Sequence, residues 1–213
     1  MNNISVIQIL VLFSALYAIA ALVFLWKKTC AFGKAEDLST PRGSGLSGII
    51  YAFGKGMLPW EKESVVKHLP TYIGGIVYHS ALLTALLFIF WDMFLLPMTS
   101  LVLTALKILW LAGATAGFAM ALKRILSPTM RRLSCPDDFF ANIFADAFLV
   151  FAILSIVNRE WRTALYVCSI LLFIYIPLGK IRHCFFFFTT RIIFGKFFGR
   201  RGVFPVPRRG VER

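Results

Sequence analysis

Acidic side chains are scarce: 213 residues hold only 10 Asp and Glu against 23 Lys and Arg, a formal charge of +13. Charged residues of either sign make up 15% of the chain while 59% is hydrophobic, whereas soluble domains are about a quarter charged. That shortage excludes a cytosolic globular enzyme and a disordered chain. Four cysteines without a C-x-x-C pattern exclude a disulfide scaffold, a Cys-ligated iron–sulfur cluster and covalently attached c-type haem. Three histidines are too few for a His-rich metal cluster, and the G-x-S-x-G signature of a hydrolase nucleophile is missing. There is also no internal repeat of the kind that marks many transporters. What remains is an integral membrane protein.

A helix needs about 20 apolar residues to cross roughly 30 Å of hydrocarbon. Five such runs are present, at residues 4–26, 71–95, 100–122, 139–157 and 163–178, the last expected to continue through the Phe-rich stretch beyond it. The first is too long for a signal-peptide core, no Lys or Arg precedes it, and Lys27 and Lys28 follow it, so it is expected to be a retained helix. The expected fold class is therefore all-α, a polytopic membrane protein of five transmembrane helices forming a single domain over residues 1–213.

Basic residues are distributed unevenly among the connections. Residues 27–70 hold seven, residues 123–138 four and residues 180–213 nine. The N-terminal end and the connection between the second and third spans hold none, and Arg159 and Arg162 are alone between the fourth and fifth. The positive-inside rule then predicts the N-terminus outside and the C-terminus cytoplasmic, in a multi-pass protein of the cell inner (cytoplasmic) membrane. Topology explains the charge, and nucleic acid is not needed as a partner. Cys30, Cys135 and Cys184 fall on or near that reducing side, with Cys168 inside the fifth span.

Two cytoplasmic stretches invite a role. The connection over residues 27–70 is long, with a flexible Ser39, Thr40, Pro41, Gly43, Ser44, Gly45 stretch and then a short amphipathic segment at residues 48–58. The C-terminal segment, residues 184–213, mixes Phe185 to Phe188, Phe194, Phe197 and Phe198 with Arg191, Lys196, Arg200 and Arg201. Aromatic bodies with basic heads suit the inner surface of the lipid bilayer and equally a docking face for a soluble partner. Pro205, Pro207, Arg208 and Arg209 read as an irregular cytoplasmic extension.

An imidazole in hydrocarbon is costly unless something satisfies it, which makes an intramembrane histidine a candidate for function. His79 lies eight residues into the second span, about 12 Å from its cytoplasmic start. His183 is expected near the cytoplasmic end of the fifth, which runs the opposite way. Two imidazoles at comparable depth on different helices match the axial pair of a six-coordinate haem b. Each alone also fits a hydrogen-bonded polar residue in helix packing. Gly75, one turn before His79 beside Gly74, would leave room for a macrocycle, and Leu82 and Leu83 would pack against its edge. Lys180, Arg182 and Arg191 could then pair with the propionates. His68, two residues before Pro70, is too far along the chain to share that iron and suits a surface, partner or quinone role.

The segments GGIVYHSALL (residues 74–83) and GKIRHCFFFFTTR (residues 179–191) resemble the gamma-subunit family of respiratory nitrate reductase. They are most similar to the related membrane cytochrome b subunits of sulfite-reduction-linked and heterodisulfide-reductase-type complexes, and the resemblance covers nearly the whole chain. It implies that His79 and His183 ligate the haem nearest the cytoplasm. The positions where that family carries ligands of a second, outer haem are Ile89 and Leu165 here, which cannot bind iron, so one haem b is expected.

The resemblance further implies electron transfer between menaquinone or another quinone and a cytoplasmic iron–sulfur subunit, with other membrane or extracytoplasmic redox subunits as partners. The rival reading is a haem-free membrane anchor for a redox complex. Asp146, about seven residues into the fourth span, is a candidate proton carrier for the quinone, with pairing to a neighbouring helix as the alternative. Asp92 and Lys107 are expected to pair or snorkel toward the outer side. Gly113 and Gly117 form a G-x-x-x-G expected to bring two helices close.

Overall fold

The computed structural model describes residues 5–33, 39–94 and 97–205. Among the described residues there are helices and turns and no strands. Lys34, Pro207, Arg208 and Arg209 lie outside them. The helices are α1 (Val6–Ala31), α2 (Gly45–Phe53), α3 (Glu63–Val66), α4 (Leu69–Met93), α5 (Ser100–Leu126), α6 (Pro128–Leu133), α7 (Pro136–Val157), α8 (Arg162–Tyr175) and α9 (His183–Arg200). Four of these, α1, α4, α5 and α7, are long and apolar enough to cross a membrane, and the count reaches five if α8 and α9 form one broken span. The chain is an all-α, multi-pass membrane protein.

The fifth helix does not run through the Phe-rich stretch, as the apolar run suggested. With 14 residues, α8 is about 21 Å long, short of a bilayer by itself. Pro177 has no N–H to donate and its ring would collide with the carbonyl four residues back. The backbone tightens instead, with Leu178 N–H and Gly179 N–H both donating to the Tyr175 carbonyl at 3.0 and 2.9 Å. A side chain at Gly179 would strike the tip of the Tyr175 ring, which would have to swing aside to admit it. His183 consequently opens α9 and does not close the preceding helix.

The chain divides into two compact units. The first comprises Met1–Leu22 with Pro70–Arg182, the second Val23–Leu69 with His183–Arg213.

In the first unit, α7 packs against both α5 and α8, around a core in which Trp110, Phe148, Leu149, Ile89 and Leu165 are fully buried. The helix starts follow from their sequences. Thr99 accepts from Val102 N–H at the head of α5, and Cys135 N–H donates to the Asp138 carboxylate at the head of α7. Asp137 and Asp138 stand in the first turn of α7, and Lys123 and Arg124 in the last turn of α5, each placed where the helix dipole favours its sign. On the outside, Leu83, Leu87, Ile108, Leu111 and Phe118 are exposed, an apolar exterior suited to lipid.

Polar side chains inside this unit bond to one another. Trp110 Nε1–H donates to Thr84 Oγ1 at 3.0 Å, joining α5 to α4. Gly113 lies against Ala81, where a Cβ would collide. Asp92 pairs with Arg162 and not with Lys107: Arg162 Nη2 donates to Asp92 Oδ1 at 2.6 Å and Tyr166 OH to Oδ2 at 2.9 Å. At the opposite end of the same helices, Asp138 receives Lys180 at 2.7 Å and Arg124 at 3.3 Å, and Tyr175 OH donates to Asp137.

In the second unit, the loop and the tail that the sequence presented as separate elements fold onto each other. The α2 and α9 backbones are nearly in contact. A Cβ on Gly195 would stand 2.6 Å from Ile49 Cα, one on Gly199 2.5 Å from the Ser44 carbonyl oxygen, and one on Gly48 would overlap the Gly195 carbonyl. Those obstacles are backbone, which cannot swing aside as a side chain can, so the small-residue spacing is obligatory here. The Arg200 carbonyl also accepts from Arg42 N–H at 2.8 Å and Gly43 N–H at 3.0 Å. Phe53 packs on Phe187 and Phe188, and Tyr51 stacks on Phe204 at 4.9 Å, so part of the aromatic run is used internally.

Two outcomes test this packing. Gly48→Ala or Gly195→Ala should cost about 1–3 kcal/mol through overpacking, seen as faster limited proteolysis of the second unit and an earlier melting transition. Arg162→Ala strands the Asp92 carboxylate and should cost about 3 kcal/mol, whereas the double replacement Asp92→Leu with Arg162→Leu should come close to neutral. Equal losses in the single and double variants would show that the ion pair is a net source of stability.

Candidate functional site

The candidate residues divide between the units. Gly75, His79, Asp146 and Arg182 belong to the first, His68, His183 and Arg191 to the second.

His79 lies ten residues into α4, about 15 Å from its start, and is exposed on the surface of that apolar helix. Its Nδ1 is 2.6 Å from the Gly75 carbonyl oxygen. A carbonyl only accepts, so Nδ1 carries the proton, and in the neutral ring the lone pair resides on Nε2. The helix thereby selects the tautomer and orients the ring, as a backbone carbonyl does for ligating histidines in general. A Cβ on Gly75 would meet nothing within 4 Å, so there is open space beside that turn. The Tyr78 ring stands edge-on to the imidazole at a centroid distance of 6.0 Å.

Tyr78 leads inward to a polar cluster that sequence reasoning found only in part. Asn142 Nδ2 donates to Asp146 Oδ2 at 2.7 Å and lies 3.4 Å from Tyr78 OH. Asp146 Oδ1 is buried with no hydrogen-bond partner. A Cβ on Gly117 would overlap both the Asp146 carboxylate and the Tyr78 ring, so this glycine makes room for the pair as well as for the helix crossing. Asp146 thus occupies the junction of α4, α5 and α7. The sequence signal for Asn142 is its position one turn before Asp146, on the same helix face.

The basic candidates differ in their surroundings. Lys180 Nζ donates to Asp138 Oδ2 at 2.7 Å. Arg182 is exposed at the end of the short turn after α8. In the second unit His183 is exposed at the head of α9. Arg191 is half-buried, its Nη2 directed at Met57 Sδ at 2.8 Å and its guanidinium 5.5 Å from the Phe187 ring centroid. Burial and the nearby Arg191 charge lower the Lys62 ammonium from its usual range. His68 is exposed in the turn just before α4.

The segment that carries Met57 is anchored by Glu61, which accepts from Tyr51 OH at 2.8 Å and pairs with Lys55 at 3.2 Å. Among the described residues no group of three or more His, Cys, Asp or Glu could hold a metal ion, and Cys30, Cys135, Cys168 and Cys184 are all unpaired. Compared with protein-family models, curated proteins and solved structures, the chain matches none of them.

The hydrogen bond from Tyr51 holds the Glu61 carboxyl below its ordinary value of 4.5, with Lys55 adding to the effect. A carboxyl lowered in the folded state contributes stability above its unfolded value and loses it as pH falls through the lowered one. Tyr51→Phe should therefore melt earlier than the wild type at neutral pH, with the gap closing below about 4.5. A gap independent of pH would show that the tyrosine acts through packing alone.

Proposed function

We propose that the chain is a haem b membrane subunit of an anaerobic respiratory complex, passing electrons between the quinone pool and a cytoplasmic iron–sulfur partner. The observation that carries this reading is His79. It is an imidazole on the exposed face of a membrane-spanning helix, held by the Gly75 carbonyl in the tautomer whose Nε2 can ligate a metal, with unfilled space at Gly75. A haem there would use the Nε2 nitrogen and cover that face of the helix.

His79 and His183 are the residues that would hold the iron of a haem b. Haem, when bound, supplies a one-electron carrier, its iron alternating between ferric and ferrous. The chain's own residues do the rest. The Gly75 carbonyl orients the His79 ring, Gly75 leaves lateral space, and Arg182 and Arg191 offer positive charge to the propionates. Asp146 and Tyr78, linked by Asn142, offer a proton-holding group in the first unit for a quinone substrate, and His68 is a second candidate contact at the surface.

The charge distribution supports an N-terminus outside, a C-terminus in the cytoplasm and residence in the cell inner membrane. The basic second unit would then face the iron–sulfur partner. Ile89 and Leu165 are both fully buried apolar residues, which supports a single haem.

The test is a reduced-minus-oxidised spectrum of the purified full chain. A b-type band is expected, with about one haem per chain for one axial pair. The band should vanish in His79→Ala and in His183→Ala while thermal melting shows both variants folded. A colourless protein, or a band untouched by both replacements, would establish the haem-free anchor instead.

A further inference from the structure

The α2–α9 pair of the second unit is apolar on faces that a helix pair in water would keep polar. Its inner seam is marked by glycine, since the Gly48 and Gly195 backbones meet there. Residues two places before and after each of these glycines stand about 200° round the helix, on the side away from the partner. On α2 they are Leu46 and Ile50, 68% and 65% exposed, and on α9 Ile193 and Phe197, 58% and 46% exposed. A helix pair in water buries one face of each member and hydrates the other. Here both outer faces carry large apolar side chains that no other part of the chain covers.

Polar groups along the pair are turned back into the protein. Tyr51 OH donates to Glu61 at 2.8 Å, Thr190 Oγ1 reaches the Phe186 and Phe187 carbonyls at 3.0 Å, and Arg191 Nη2 is directed at Met57 Sδ. Neither α2 nor α9 contains an Asp or Glu. Basic residues flank the apolar stretch instead. Lys196, Arg200 and Arg201 close α9, and the bond from Arg42 N–H to the Arg200 carbonyl brings the start of α2 to that same end. Lys55 and Lys62 follow α2 at the other.

We infer that the α2–α9 pair lies along one leaflet of the bilayer, with Leu46, Ile50, Ile193 and Phe197 among the acyl chains and the basic side chains of its two ends at the lipid phosphates. Basic ends around an apolar body are the pattern of an interfacial helix. A protein partner or a second copy of the chain would have to cover two opposite faces at once, which lipid does without any match of shape. With nine residues, α2 is about 14 Å long, less than half the roughly 30 Å of hydrocarbon, so it enters one leaflet and does not cross. The same unit takes in Val23 to Ala31 of α1, a helix long and apolar enough to span a membrane, so the chain itself delivers the pair to the bilayer. The inference does not depend on a haem.

The test uses the full chain, one copy per nanodisc of phosphatidylglycerol and phosphatidylcholine, footprinted by hydroxyl radicals from the water and by a diazirine probe dissolved in the lipid. Leu46, Ile50, Ile193 and Phe197 should lose the oxidation that the same peptides show after proteolytic release, and should gain diazirine adducts. Ile193→Asp should restore oxidation at Phe197; the wild-type chain decides the matter should that variant fail to fold. Oxidation of the four residues at the rate of the released peptides would overturn the inference. Protection without diazirine adducts would overturn it too, because protein and not lipid would then cover these faces.

Discussion

The pair formed by Asp92 and Arg162 shows the constraint that governs the first unit. In hydrocarbon a polar side chain finds no water, so its partner must come from the protein. Asp92 on α4 draws Arg162 and Tyr166 from α8, and those bonds join two helices far apart in sequence. The same demand puts Trp110 on Thr84 and Asn142 on Asp146. Apolar contact alone cannot choose one helix arrangement over another when lipid tails are as greasy as leucine. The few polar groups supply the preference, and their scarcity makes each one specific.

Glycine supplies the complementary condition. Hydrogen bonds of this kind form only where backbones approach, and Gly113 and Gly117 permit α5 to meet Ala81 on one neighbour and Asp146 on another. The second unit carries the principle further. Gly48, Gly195 and Gly199 bring α2 and α9 so near that each missing Cβ is replaced by the partner's backbone. A segment that looked like a surface loop becomes one half of a helix pair, and the aromatic run of α9 acquires Phe53 as an internal neighbour.

Which of these features could be read in advance follows from the range over which each interaction acts. The apolar runs of α1, α4, α5 and α7 are local and long, so their spans were legible to within a few residues. Only composition suggested a straight fifth span; Pro177 and Gly179, also local, were the signal that it breaks. Asp92 was visible as an intramembrane charge, but its partner was not, since nothing in the order of residues ranks Arg162 above Lys107. The meeting of α2 and α9 was hidden for the same reason. Their glycine spacings stand about 150 residues apart and gain meaning only when brought together.

His79 shares its exposed position with Thr104 and Thr115 of α5, whose hydroxyls also donate to carbonyls of their own helix, and differs from the polar groups that are turned inward. Ser14, Thr84, Ser155 and Ser169 return their hydroxyls to carbonyls of their own helices, and Asp92 and Trp110 are buried against partners from other helices. Each of these arrangements turns polarity inward. His79 also bonds to its own helix through Nδ1, yet the ring stays on the exposed face, so the bond fixes its orientation without withdrawing it from the surrounding medium. In the proposed reading, that oriented and outward-turned ring would serve as the ligand of a metal with an affinity for imidazole nitrogen.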